Sequence, residues 1–275
     1  MSLLIRNQHP TRTRSMKTIA VVAQKGGTGK TTVAVNLAVC AHAAGLRAMI
    51  ADMDPQASSA DWARSRQGDG PAVVPLKLGS LFPAQYTAEN SGLDLMIIDT
   101  RGGSQVDVVV AAKTADLCLV VVRPTVMDLR AIAGTVNLLK TLRRPAAFVL
   151  NQAPCPLVGR DPVMVIEAVE LLMSYGLTLA PVALRTRQVY QTAFMNGRSP
   201  LEEDPRGPAG GELARLWRYT AERLWPAGLR PMTRPSAPTG GNSARRRVDA
   251  LVRRTPSLAP IAPLRAALPV GEALG

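Results

Sequence analysis

The sequence predicts an α/β protein, a mostly parallel twisted sheet with helices on both faces. Three observations predict it. Short continuous apolar runs recur along the chain without polar alternation, as strands buried on both faces require. Helix-length stretches separate these runs, which is the order of a parallel sheet with crossover helices. A glycine-rich turn, "QKGGTGKTT" (24–32), joins the first run to the first helix, the setting in which backbone N–H groups and a helix N-terminus bind phosphate.

The elements follow in order. "TIAVVA" (18–23) is the first strand, and the residues before it, 1–15, read as a flexible extension. "TVAVNLAVCAHAAG" is an alanine-rich helix stopped by Gly45, a residue suited to the left-handed turn that ends helices. Further strands fall at 46–52, 93–99, 116–122, 146–151 and 177–182, and helices at 125–142, 161–175 and 209–225. After Trp225-Pro226 the composition changes. Residues 226–275 are rich in Pro, Gly and Arg and read as a largely disordered tail, with one short basic stretch, "ARRRVDALVRR" (244–254). The chain thus divides into an extension (1–15), one domain (16–225) and a tail (226–275).

Composition narrows the partners. Of the 275 residues, 47% are hydrophobic but only 4% aromatic, so the core is built from Ala, Val, Leu and Ile. Every apolar run is interrupted before the roughly 18 residues that a membrane span needs, and the N-terminus lacks the apolar stretch of a secretory signal. Cys40, Cys118 and Cys155 are odd in number and far apart, which suits reduced thiols in the cytoplasm. The net charge of +13 is concentrated at the ends. Residues 1–15 carry three Arg and no acid, and 226–275 carry eight Arg against two acids, whereas 16–225 carry 22 basic against 18 acidic residues. Basic ends suit a polyanionic partner, nucleic acid or an anionic membrane surface.

The turn carries the chemistry. The pattern G-x-x-x-x-G-K-[ST] places a glycine where this chain has Gln24, and a second lysine, Lys25, follows it. Gly26, Gly27 and Gly29 let the backbone around Thr28 turn its N–H groups toward phosphate oxygens. Lys30 is placed for the β- and γ-phosphates, Thr31 offers a hydroxyl to Mg²⁺, and Thr32 reaches the α-phosphate. Carboxylates close later strands: Asp52 and Asp54 in "IADMDPQ", expected beside the loop, and Asp99 in "LMIIDT", the arrangement that holds Mg²⁺.

Together "KGGTGKTT", "DMDPQ" and "LMIIDT" resemble the ParA/MinD group of P-loop ATPases, whose deviant Walker A motif carries a signature lysine, and most of all its DNA-partitioning branch. The resemblance covers roughly residues 17–225. It implies a homodimer that sandwiches two ATP molecules with Mg²⁺. Lys25 then acts in trans and Lys30 in cis, Thr31 binds the metal, Asp54 positions the attacking water, and Asp52 and Asp99 organise the metal's outer shell. It further implies that Asn151 contacts adenine, and that Arg185, Arg187 and Arg198 touch DNA without sequence preference. Arg215, Arg218 and Arg223 lie behind them on the last helix. The implied function is nucleoid-associated partitioning of plasmid or chromosomal DNA, with hydrolysis stimulated by a centromere-binding, ParB-like adaptor. Two alternatives remain: a MinD-like membrane-surface ATPase using 244–254 as its anchor, or a relative that localises a protein cargo or transfer complex. The chain departs from the family after Asp99, where "DTRGG" stands in place of the usual "DxPP" or "DxPG", so that Arg101 and Gly102 replace the expected prolines.

Overall fold

The computed structural model describes residues 15–229; the extension before Ser15 and the tail beyond Leu229, including 244–254, lie outside the described residues. Runs such as "KTIAVV" and "LMIID" have no polar side to give to water, so they form strands covered on both faces. Seven strands make one parallel sheet: β1 (Lys17–Val22), β2 (Ala48–Asp52), β3 (Ala72–Pro75), β4 (Leu95–Asp99), β5 (Leu117–Val122), β6 (Ala146–Leu150) and β7 (Thr178–Leu179), in the order β3-β2-β4-β1-β5-β6-β7. Around it lie α1 (Lys30–Ala43), α2 (Ser58–Ser65), α3 (Leu81–Asn90), α4 (Gln105–Thr114), α5 (Val126–Thr141), α6 (Val163–Ser174), α7 (Gln188–Met195), α8 (Pro200–Glu203) and α9 (Pro208–Leu224).

Strand side chains alternate between two cores, as the period of two demands. Ile19, Val21, Ile50, Ile97, Leu119 and Val149 face α1, Trp62 of α2, and Leu213, Leu216 and Trp217 of α9. Ala20, Val22, Met96, Ile98, Val120 and Phe148 face Leu81, Val108, Ile132, Val136 and Leu172 of α3 to α6. Helix α1 is enclosed by the sheet, α2, α8 and α9. Val33 to Ala41 are all buried, and mostly small residues allow that close approach. Among the described residues, no helix is long and apolar enough to cross a membrane.

Three differences from the sequence expectations have physical causes. β4 lies between β1 and β2, so Asp52 ends, and Asp54 follows, a strand one place removed from the loop-bearing β1, and Asp99 ends its direct neighbour. The strand expected over 177–182 is only two residues long. Pro181 has no N–H for the ladder, and the chain rejoins β6 through Ala180 N–H to Phe148 O (2.9 Å) and Leu184 N–H to Leu150 O (2.9 Å). The edge strand β3 was missed because it is four residues long and ends in proline.

Candidate nucleotide site

Parallel strands deliver their carboxyl ends to one edge of the sheet, where such folds bind ligands. Here the register aligns Val21 with Asp99 and Asp99 with Asp52, so the turn after β1 and both carboxylates share one level. The turn runs from Gln24 to Gly29 and passes into α1 at Lys30. Gly29 takes φ 86°, and a Cβ there would collide with the Asn151 amide, so the last turn residue must be glycine on two counts. The loop is braced from β6: Asn151 Nδ2 donates to Thr28 O at 2.8 Å, and Gln152 Nε2 to Gly27 O at 3.4 Å.

Lys30 is 6% exposed. Burial lowers its pKa, and the charges of Asp99 and Asp54 oppose that shift. Asp99 is fully buried, and burial pushes its carboxyl up to about 7 against hydrogen bonds from Ser59 (Oγ to Oδ2, 2.8 Å) and Thr31 and the nearby charge of Lys30. Its other oxygen, Oδ1, and the Thr28 hydroxyl are buried with no hydrogen-bond partner among the described residues. Unpartnered buried oxygens in a site of this kind fit a bound cation and phosphate. Thr31 and Asp99 supply the hard oxygen donors that suit Mg²⁺. Asp52 is differently placed. Its Oδ1 accepts from Asp54 N–H (3.1 Å) and its Oδ2 from Ala60 N–H (3.0 Å), so it organises the 52–60 turn. Burial raises its pKa and these N–H groups oppose the rise. Asp54 in turn accepts from Gln56 N–H (3.0 Å).

The two lysines of the turn are engaged apart. Lys25 Nζ lies 3.1 Å from Asp128 Oδ1, near the start of α5. Asp128 also receives Arg123 through Nε (2.7 Å) and Nη2 (3.0 Å). Burial alone would raise the Asp128 pKa, but hydrogen bonds from Arg123 and Lys25 outweigh it and hold the carboxyl below its usual value. The Arg123 guanidinium also borders Gly27. Neither Asp128 nor Arg123 was picked out from the sequence. The signal available was Thr125-x-x-Asp128 directly after a strand, a helix-capping spacing, and Thr125 Oγ1 does accept from Asp128 N–H.

The remaining expected residues scatter. Asn151 lies at the site, with its amide nitrogen on the Thr28 carbonyl. Arg185 is mostly buried and pairs with Asp161 (2.7 Å) and the Pro154 carbonyl (2.8 Å). Arg187 pairs with Glu212 of α9 (2.7 Å). Both border a cavity of about 730 Å³ that Arg206 and Arg215 also line. Arg198 is half exposed and pairs with Glu203 (3.0 Å). Arg223 stacks over the Tyr219 ring. Cys40 and Cys118 are buried free thiols. Among the described residues, no group of three or more His, Cys, Asp or Glu side chains could hold a metal ion alone.

A glycine turn entering a helix with a buried lysine, flanked by Asp99 on the adjacent strand, defines a P-loop nucleotide-binding protein. The chain belongs to the CobQ/CobB/MinD/ParA nucleotide-binding domain family, which it matches over residues 19–178. It is similar to the Maintenance of carboxysome distribution protein A of Gloeobacter kilaueensis, with 30% identity over 215 residues covering 76% of this chain and 94% of that protein. Among solved structures, apo McdA of Cyanothece superposes with a TM-score of 0.63 at 15% identity, covering 76% of this chain and 99% of that one. MinD of Pyrococcus horikoshii complexed with Mg-ADP superposes with a TM-score of 0.59 at 18% identity, covering 74% and 96%. These two likenesses concern the fold.

Proposed function

We propose that this chain is a ParA-like ATPase whose ATP-bound dimer binds DNA without sequence preference and positions a cargo, with hydrolysis stimulated by a ParB-like adaptor. The observation that carries the reading is the separation of the two lysines. Lys30 occupies the phosphate turn beside Asp99 and Asp54, whereas Lys25 is paired with the buried Asp128 and keeps a side chain 36% exposed; in this reading it exchanges that pair for the nucleotide of a second copy. Lys30, with the N–H groups from Gly26 to Thr32, holds the phosphates of the bound nucleotide. Thr31 and Asp99 would hold Mg²⁺, which supplies positive charge to the phosphate oxygens when bound. Asp54 orients the attacking water, and Lys25 of the second copy neutralises the transferring group. Phosphoryl transfer needs little beyond such charge and positioning. Asn151 steadies the loop from the adenine side.

DNA binding requires several cations on one face to displace counterions. Arg185 and Arg187 are already paired with Asp161 and Glu212, which line the same cavity, so the support for such a surface comes from Arg206 and Arg215 at that cavity and from half-exposed Arg198 on the loop after α7. The likeness to a protein named for carboxysome distribution favours a protein assembly as cargo over plasmid or chromosomal DNA. The test is retention on non-specific DNA with ATP and with ADP, for the wild type and for Lys25→Gln and Lys30→Ala. Retention with ATP alone, lost in both variants, is expected. Retention indifferent to nucleotide and to both substitutions contradicts the switch.

A further inference from the structure

We infer that Arg101 is a catalytic residue of this site, contacting the terminal phosphate of the bound nucleotide. This rests on the ATPase reading above. The segment after β4 runs directly over the phosphate turn. A Cβ added to Gly102 would lie 2.8 Å from Gly26 Cα and 3.2 Å from Lys30 Nζ. Any side chain at 102, proline included, would press on the turn's backbone, so glycine at this position is what lets the segment approach so closely. Gly103 takes φ 81° and passes the Gln24 carbonyl. On the other side, Thr100 is fully buried and anchored by Oγ1 donating to Val21 O at 2.8 Å, at the end of β1.

Arg101 is therefore clamped between a fixed threonine and a glycine lying on the cradle. Its guanidinium is half exposed, and its ion pair with the largely buried Asp107 near the start of α4 runs through Nε at 3.4 Å, longer than a charge-assisted hydrogen bond. A triphosphate offers a far stronger partner, because guanidinium binds phosphate oxygens bidentately and stays charged throughout. Asp107 is thus the resting contact and the terminal phosphate the working one. In hydrolysis the water oxygen bonds to the terminal phosphorus as that atom's bond to the β–γ bridging oxygen breaks. The products are ADP, inorganic phosphate and the proton released from water. Arg101 neutralises the charge on the departing phosphoryl oxygens and exchanges no proton.

Two readouts test this. Calorimetric titration with ATPγS and with ADP, each with Mg²⁺, measures the preference for a third phosphate. Steady-state turnover of ATP then separates kcat from KM. Arg101→Ala is expected to lower ATPγS affinity about tenfold and leave ADP affinity unchanged, with kcat falling at least as far. Arg101→Lys should recover part of both losses, and Asp107→Asn should keep the wild-type preference for ATPγS. Thermal unfolding of Arg101→Ala at the wild-type temperature excludes misfolding, as expected for a half-exposed side chain. If Arg101→Ala leaves both the ATPγS-to-ADP preference and kcat at wild-type values, Arg101 is a surface charge and the inference fails while the ATPase reading stands. If the wild type binds neither nucleotide, both fall.

Discussion

Lys30→Ala is expected to weaken ATP binding by about two to three orders of magnitude and to remove all turnover. The ammonium group is buried at the first position of α1, with Asp99 and Asp54 near enough to oppose the effect of burial on its pKa. A charge taken out of water is tolerated only where it is compensated, and the compensation here comes from two carboxylates facing the phosphate turn. Removing Lys30 deletes the cation proposed to meet the β- and γ-phosphates and leaves Asp99 and Asp54 to repel them. Charge-assisted contacts of this kind contribute about 1.5–3 kcal/mol each, and the proposed role gives Lys30 two phosphates to meet. Calorimetric titration with ATPγS checks the loss. Retained affinity would place the phosphates elsewhere.

Gly197→Ala is expected to destabilise the fold by about 2–4 kcal/mol, with Tm falling by roughly 5–15 °C. Gly197 follows α7 with φ 64°, and a Cβ there would collide with the backbone N and Cα of Arg66 at the end of α2. Strain in the left-handed region adds about 1–2 kcal/mol, and the clash falls on backbone that is itself fixed. Arg66 is held by Glu202 and by the Gly197 carbonyl (Nη1 to O, 2.9 Å), and Trp62 Nε1 donates to the Arg198 carbonyl at 3.0 Å. Neither side can yield without opening the α2–α7 contact and exposing Trp62, which is almost fully buried. Thermal unfolding measures the effect. An unchanged Tm would mean that the two segments are not in contact.

Much of the fold and site was legible because the signals are local. Each buried strand announces itself as an apolar run, and "GKTT" entering an alanine-rich helix names the phosphate turn within a few residues. Asp99 was legible for the same reason, since it closes the run "LMIID". Contacts made by the tertiary fold were not. Lys25 and Asp128 stand 103 positions apart in sequence, and only the adjacency of β1 and β5 brings the turn after one beside the helix after the other. Strand order had the same character: an apolar run says that a strand is buried but not which neighbour it pairs with, so β4 between β1 and β2 could not be foreseen. Arginine spacing was equally silent on pairing. Arg185 and Arg187 stood out as cations, yet Asp161 and Glu212, which hold them, come from distant segments. The departure at 101–102 was visible in sequence, but the approach of Gly102 to Gly26 needed three dimensions.

The central claim is that the site is completed by a second copy of the chain, and mixing two inactive variants tests it. Lys25→Gln keeps its own phosphate turn and Asp54 but lacks the trans cation. Asp54→Ala keeps both lysines but lacks the residue proposed to orient water. In a mixed dimer, the nucleotide on the Lys25→Gln chain has Asp54 in cis and receives Lys25 from its partner, so one site of two is whole. Each variant alone should show background ATP turnover, and an equimolar mixture should recover about a quarter of the wild-type rate, because half the dimers are mixed and each carries one working site. A mixture that stays at background while the wild type turns over would mean that Lys25 serves its own nucleotide, and the account of a site shared between two copies would be wrong.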